Sequence, residues 1–234
     1  MPTNRRVIEL SHVIEHGMVT DPRLPAARIY HVWTREQSGS RYAPGVSFQI
    51  GSADLVQNTG TYLDAPFHRY PHENGARPGV WDVPIERVAD LDGVCLDVRE
   101  QVRRGDRALR EDVIKGVDVR GKAVLLWTGC DEKWGREEYR NGSHPFLTAG
   151  LASSLVGGGA VVMGIDAINA DDFADLARPA HTILLGAPGG GVCIVENLTN
   201  LGQVSGRAFR FTAAPVRVKG LGSFPVRAYA VVGG

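Results

Sequence analysis

The residues best placed for chemistry in this sequence are Asp64 and His68, a carboxylate and an imidazole four positions apart. Both groups bind divalent metal ions. Pro66 lies between them and disfavours helical backbone at the preceding residue, so a turn or the first turn of a helix is predicted here. Either geometry makes the two side chains neighbours. For an isolated pair with this spacing, the more frequent arrangement is an aspartate that caps a helix beside a packed histidine.

Two more candidates lie far along the chain. His181 precedes the apolar run 183–185, which is predicted to be a strand, and a histidine at such a position is more often structural or exposed to solvent. Glu196 directly follows the apolar run 192–195 and is expected at the end of a buried strand. A charge there is costly unless it is paired or bound to a metal. The alternative for Glu196 is an acidic residue at a helix N-terminus.

Several motifs occur in a fixed order along the chain. In the first, Gly60, Thr61, Asp64, Pro66 and His68 match the pattern His-x-Gly-Thr-His-x-Asp-x-Pro-x-His. The others are Leu10-Ser-His12, Leu126-Trp-Thr-Gly129, Val162-Met-Gly-Ile-Asp166, His181-x-x-Leu-Leu185 and Ile194-Val-Glu-Asn-Leu-x-Asn-Leu201. With these motifs, the sequence resembles the metal-dependent cyclase-like hydrolases, a family that includes bacterial kynurenine formamidases and isatin hydrolases. The resemblance extends over nearly the whole chain.

The resemblance implies roles for individual residues. Asp64, His68 and Glu196 would bind the metal, and His181 would be the catalytic proton carrier. The first two histidines of the family motif are replaced by Asn58 and Tyr62, which are poorer zinc ligands than imidazole.

These replacements favour one divalent ion per chain over a two-zinc centre, with Mn²⁺ favoured by the oxygen donors and Zn²⁺ as the alternative. Asn58 and Tyr62 are therefore candidates for metal or substrate binding. Gly60 and Thr61 are candidates for binding substrate through the backbone.

By this resemblance the protein is a metal-dependent hydrolase that cleaves the C–N bond of an amide, an aryl formamide or a lactam, on an aromatic or cyclic substrate. A homodimer or homotetramer is implied. Two alternatives stay open: a small-molecule binding protein whose metal site has decayed, and a metal-dependent cyclase or dehydratase on the same fold. Nucleotide binding is not expected, because the glycine runs at 157–159 and 189–191 lack the phosphate-loop pattern.

The elements that must position these residues are mostly strands. Short apolar or alternating runs predict them at 7–11, 28–34, 46–55, 94–98, 123–127, 160–166, 183–185, 192–195, 208–212 and 226–232. Helices are predicted at 109–115 and after Thr148, where Thr148 is the N-cap and Gly157–Gly159 the stop. We therefore predict an α/β fold with one domain over residues 1–234. Its mixed β-sheet is flanked by helices, and the resemblance implies the swivelling β/α/β type.

Composition excludes several classes of protein. The 26 basic and 26 acidic residues leave no net charge, which argues against nucleic acid or an anionic membrane as partner. The longest apolar runs, 124–127 and 161–163, are too short to span a bilayer, and no signal peptide is recognised. Three scattered cysteines fit reduced thiols, so a cytoplasmic location is expected. His72 and His144 are expected in exposed loops.

Overall fold

The computed structural model describes residues 5–72 and 75–233, and thirteen strands lie in this part of the chain. They are β1 (Arg6–Glu9), β2 (Arg28–Trp33), β3 (Ile50–Asp54), β4 (Tyr62–Asp64), β5 (Leu91–Asp97), β6 (Ala108–Leu109), β7 (Ala123–Trp127), β8 (Phe146–Leu147), β9 (Val162–Ile165), β10 (Cys193–Glu196), β11 (Phe209–Thr212), β12 (Ser223–Pro225) and β13 (Tyr229–Val232). Nine of them form one sheet in the order β1-β13-β11-β5-β7-β9-β10-β4-β12. This sheet joins strands from both ends of the chain.

The sheet is mixed. Its four central strands, β5, β7, β9 and β10, run parallel, and the flanking pairs are antiparallel. Parallel strands are covered on both faces, which is why β7 and β9 read as continuous apolar runs. Neighbouring residues of β7 face opposite sides, so that Leu125 belongs to one buried cluster and Leu126 to the other. The predicted mixed-sheet α/β fold is confirmed.

The described part of the chain also contains five short helices: α1 (Arg35–Gly39), α2 (Arg99–Arg103), α3 (Glu137–Arg140), α4 (Ala149–Gly158) and α5 (Pro179–Gly186). Helix α4 begins where predicted, because the Thr148 side chain accepts a hydrogen bond from the Leu151 N–H. It ends at Gly158 and is capped by Gly159, whose φ of 81° lies in the left-handed region that glycine adopts most easily. No helix in the described residues has the length and apolar character to cross a membrane.

Three predicted elements were wrong. The run 183–185 lies inside helix α5 instead of forming a strand, since Pro179 starts a helix at that point. The run 109–115 forms a 3₁₀ turn at Glu111–Ile114 after strand β6, and no longer helix. The strand predicted at 46–55 is limited to β3. Short apolar runs fit a strand and a buried helix equally well, which explains the first of these differences.

Candidate metal centre

Strand β4 and the turn after it bring Asp64 and His68 together. Asp64 is the last residue of β4 and lies between β10 and β12 in the sheet. The chain then forms a 3₁₀ turn at Pro66–His68, in which the His68 N–H donates to the Ala65 carbonyl at 2.8 Å. The turn leaves His68 Nδ1 3.7 Å from Asp64 Oδ1. The predicted turn at Pro66 and the proximity of the two side chains are confirmed.

The second carboxylate oxygen of Asp64 has the properties of a metal ligand. Asp64 Oδ2 is buried and accepts no hydrogen bond from any described residue, and His181 Nε2 lies 3.6 Å from it. A buried anionic oxygen without a partner is costly, and a bound cation would offset that cost. Within residues 5–72 and 75–233, Asp64, His68 and His181 form a group whose candidate ligand atoms all lie within 4.8 Å of one another. The residues present therefore fit a divalent cation.

Glu196 approaches the same place from the neighbouring strand. It is the last residue of β10 and is fully buried, as its position after an apolar run predicted. Its Oε1 accepts a hydrogen bond from the Ala170 N–H at 2.6 Å and lies 3.7 Å from His181 Nε2. Glu196 lies outside the group formed by Asp64, His68 and His181. The His181 Nε2 atom therefore faces two carboxylates, one from β4 and one from β10.

Asp171 orients His181 and was not found by sequence analysis. Its Oδ2 lies 2.6 Å from His181 Nδ1, and the N–H groups of Ala180 and His181 donate to its two oxygens at 2.6 and 3.1 Å. Asp171 thus holds the first turn of α5 and the imidazole together. A carboxylate behind the far nitrogen of a histidine is the usual arrangement for a histidine that binds a metal.

His144 supports the loop that contains Asp171. It is only 4% exposed, so the prediction of an exposed loop residue was wrong. Its Nε2 donates to the Asp171 carbonyl at 2.9 Å, and its ring packs edge-on against Phe173. His144 therefore fixes the backbone that carries the Asp171 carboxylate.

The buried ionisable groups of the centre shift one another's pKa values. Burial by itself lowers the pKa of His181, but the hydrogen bond with Asp171 and the nearby carboxylates of Asp64 and Glu196 raise it to about 10. Burial raises the pKa of Glu196 to about 7, against the opposing effect of His181. Burial also opposes ionisation of Asp64, yet His68 and His181 hold its pKa below the ordinary value. Without a metal, the centre is an imidazolium among carboxylates, and a bound cation would replace its proton.

Asn58 and Tyr62 each contact a carboxylate of the centre. The Asn58 amide donates to Asp64 Oδ1 at 3.5 Å, and the Tyr62 hydroxyl donates to Glu196 Oε2. Burial, and then the charge of Glu196, raise the pKa of Tyr62 well above its ordinary value, so the phenol keeps its proton. At the two positions where the family motif has histidine, this chain therefore has hydrogen-bond donors to Asp64 and Glu196.

Gly60 and Thr61 hold the backbone beside the centre. The Gly60 N–H donates to Thr20 Oγ1 at 2.7 Å, so it is already occupied, and its φ of +66° favours glycine. The Thr61 hydroxyl donates to the Asn197 carbonyl and accepts from the His12 N–H. Neither residue lines the cleft described next. These contacts favour a supporting role for Gly60 and Thr61.

A cleft of about 210 Å³ leads to the centre. Its lining includes Asn58, Tyr62, His68, Arg178 and His181. The cleft gives a small molecule access to the side chains that surround Asp64. The fold and the site together define a class of protein: an α/β protein with a mixed sheet and a buried histidine–carboxylate centre suited to a divalent metal.

Comparison with known proteins identifies the family. The model of the cyclase family, described as "Putative cyclase", matches residues 8–172, which is more than half of the chain. The chain belongs to this family. The resemblance recognised in the sequence is therefore confirmed.

Relatives and solved structures agree with this assignment. The chain is 27% identical to a kynurenine formamidase of Bacillus cereus over 228 residues, which cover 94% of this chain and 95% of that protein. It is 28% identical to a kynurenine formamidase of Bacillus cytotoxicus over 202 residues, covering 83% and 82%. Isatin hydrolase A from Labrenzia aggregata, solved with benzyl benzoate bound, superposes with a TM-score of 0.83 at 21% identity, covering 98% of this chain and 94% of that one.

Proposed function

We propose that this protein is a metal-dependent hydrolase that cleaves the C–N bond of an amide, an aryl formamide or a lactam. The observation that carries the proposal is the buried, unpartnered Asp64 Oδ2 beside His181 Nε2 at the end of a cleft. The relatives named kynurenine formamidase support it, as does the fold shared with isatin hydrolase A. The substrate proposed is a small aromatic or cyclic molecule.

We propose one divalent cation per chain, Mn²⁺ in preference to Zn²⁺, held by Asp64, His181 and Glu196. His181 Nε2 lies 3.6 Å from the Asp64 carboxylate and 3.7 Å from the Glu196 carboxylate, so both carboxylates face the nitrogen to which a cation would bind in place of the proton. Oxygen donors favour Mn²⁺, and Asn58 and Tyr62 leave too few imidazoles for a second ion. When bound, such a cation polarises a carbonyl group and lowers the pKa of water.

His68 is the proton carrier in this proposal, which exchanges the roles that the sequence analysis gave to the two histidines. Its side chain is 29% exposed and lines the cleft, whereas that of His181 is 6% exposed. The Ser223 hydroxyl donates to Asp64 Oδ1 and lies 2.8 Å from His68 Nδ1, so Nδ1 donates to it. The other ring nitrogen, Nε2, is then free to take a proton from water and return it to the leaving nitrogen.

The test of this function is hydrolysis by protein loaded with Mn²⁺. We expect turnover of N-formylkynurenine or isatin, measured by absorbance, and loss of that turnover when the metal is removed with a chelator. Restoring Mn²⁺ should restore the rate. Tight binding of these compounds without turnover would instead favour a binding protein. Turnover without net addition of water would favour a cyclase or dehydratase.

We propose a homodimer or homotetramer, formed through an exposed apolar arm. This arm, residues 28–54, contains the separate two-stranded sheet of β2 and β3. A two-stranded sheet is marginally stable alone in water, and large exposed apolar patches mark interfaces. The exposed apolar residues of the arm are Ile29, Tyr30, Val32, Tyr42, Val46, Phe48 and Ile50.

Charges introduced into the arm should reduce the size of the assembly. We expect Val32→Glu with Phe48→Glu to shift the protein toward monomer in sedimentation equilibrium, because burying two carboxylates at an interface is costly. The control is Val216→Glu, a residue 64% exposed outside the arm, which should leave the mass unchanged. An arm variant with the mass of the wild-type assembly would place the interface elsewhere.

Location and domain organisation complete the proposal. A cytoplasmic location is supported by Cys95, Cys130 and Cys193, which form no disulfide in the structure. One domain over residues 1–234 is supported by the main sheet, where β1 pairs with β13.

A further inference from the structure

Arg178 is a charged residue of the cleft that the proposed reaction leaves without a role. It lies directly before helix α5 and lines the cleft together with His68 and His181. Its φ of 51° and ψ of 57° place it in the left-handed region, which is uncommon for a residue with a Cβ atom. Such backbone strain concentrates at functional sites, and the conformation here holds the guanidinium at the cleft.

Contacts within the protein occupy only some of the hydrogen-bond donors of the Arg178 guanidinium. Its Nη2 donates to Asn169 Oδ1 at 2.8 Å, and its Nε lies 3.6 Å from Asp171 Oδ2. That Asp171 oxygen already accepts hydrogen bonds from the ring and the backbone of His181. Among the described residues, none accepts a hydrogen bond from Arg178 Nη1. The side chain is 31% exposed, so the remaining donors are accessible to a ligand.

Arg23, the other guanidinium that lines the cleft, is different. It forms a two-pronged ion pair with Asp21, with Nε 2.9 Å from Oδ1 and Nη2 2.5 Å from Oδ2. Its charge is therefore compensated locally. Arg178 has no such partner, since Asn169 offers a neutral amide and Asp171 is shared with His181.

We infer that Arg178 binds a carboxylate group of the substrate, so that the preferred substrates are amides or formamides with an acidic group close to the C–N bond. The inference rests on the proposed hydrolysis and adds the substrate class to it. A planar guanidinium with free donors binds a carboxylate strongly and directionally. Arg178, His68 and His181 line the same cleft of about 210 Å³, so a carboxylate bound by Arg178 and the C–N bond at the proposed metal would belong to one small molecule, as in an aryl formamide with an ortho carboxylate.

A matched pair of substrates tests this inference. N-formylanthranilate and formanilide share the aryl formamide, and only the first has an ortho carboxylate. We expect the Mn²⁺-loaded wild type to have at least about tenfold higher kcat/KM for N-formylanthranilate. Arg178→Met should lower that value about 10- to 100-fold and change the value for formanilide less than about threefold. Arg23→Met should retain the preference, and all three proteins should bind the same amount of Mn²⁺.

Three results would overturn the inference. A preference for N-formylanthranilate that survives in Arg178→Met would show that another group, such as the metal, binds the carboxylate. An equal loss for both substrates would make Arg178 a structural residue. No preference in the wild type would leave nothing for Arg178 to recognise.

Failure of the proposed hydrolysis would be recognised separately. If neither compound is hydrolysed, titration calorimetry with anthranilate and aniline replaces the kinetic comparison. The inference then requires anthranilate to bind the wild type at least about tenfold more tightly than Arg178→Met, with no such difference for aniline. Equal affinities in the two proteins would overturn it.

Discussion

Asp64→Asn is expected to remove the bound metal and to lower the rate of hydrolysis by at least about 10³-fold. The substitution keeps the shape of the side chain but removes the anionic oxygen that lies unpartnered beside His181. A neutral amide is a poor ligand compared with a carboxylate. Metal content by elemental analysis and kcat for N-formylkynurenine or isatin give the two measurements.

Asp82→Asn is the matched control for this substitution. Asp82 also pairs with a histidine, because its Oδ2 lies 2.6 Å from His72 Nε2, but the pair lies outside the group of candidate ligands. We expect this variant to keep both its metal and its activity. If Asp64→Asn bound a full equivalent of metal, the metal centre would have to lie elsewhere in the protein.

Those parts of the fold that depend on local sequence were predictable. Strands β7 and β9 read as apolar runs because both of their faces are buried, and α4 is bounded by Thr148 and Gly159. Helix α5 was not predictable from its apolar run. Besides the local signal of Pro179, its start is fixed by Asp171, whose carboxylate accepts hydrogen bonds from the N–H groups of Ala180 and His181 across a loop. No local pattern records a contact of this kind.

The same distinction applies to the candidate site. The turn at Pro66 and the position of Glu196 at the end of a buried strand follow from adjacent residues. The hydrogen bond from Tyr62 to Glu196 does not, because it depends on the register that pairs these two residues across β4 and β10. Asp171 gave no signal either, since its contact with His181 depends on the tertiary arrangement of its loop.

The roles of the two histidines can be separated by a crossed pair of variants. We expect His181→Ala to lose the metal, because its Nε2 faces the carboxylates of Asp64 and Glu196 while Asp171 holds its Nδ1. We expect His68→Ala to keep a full equivalent of metal and to have a kcat lowered by about 10²- to 10⁴-fold. Added imidazole should restore part of the activity of His68→Ala, since the space of the missing ring opens to the cleft.

Proton release gives this pair of variants a readout that is independent of turnover. The pKa of His181 is raised to about 10, so the imidazole is protonated near neutral pH and must lose its proton to bind a cation. The apparent affinity for Mn²⁺ should therefore rise with pH. The contribution of His181 to this rise should approach about tenfold per pH unit below its pKa and should level off above it. Calorimetry in buffers of different ionisation enthalpy should find about one proton released from His181 per ion, in the wild type and in His68→Ala alike. If His68→Ala loses the metal and His181→Ala keeps it, the assignment is reversed: His68 is the ligand, and the buried imidazole held by Asp171 carries the proton.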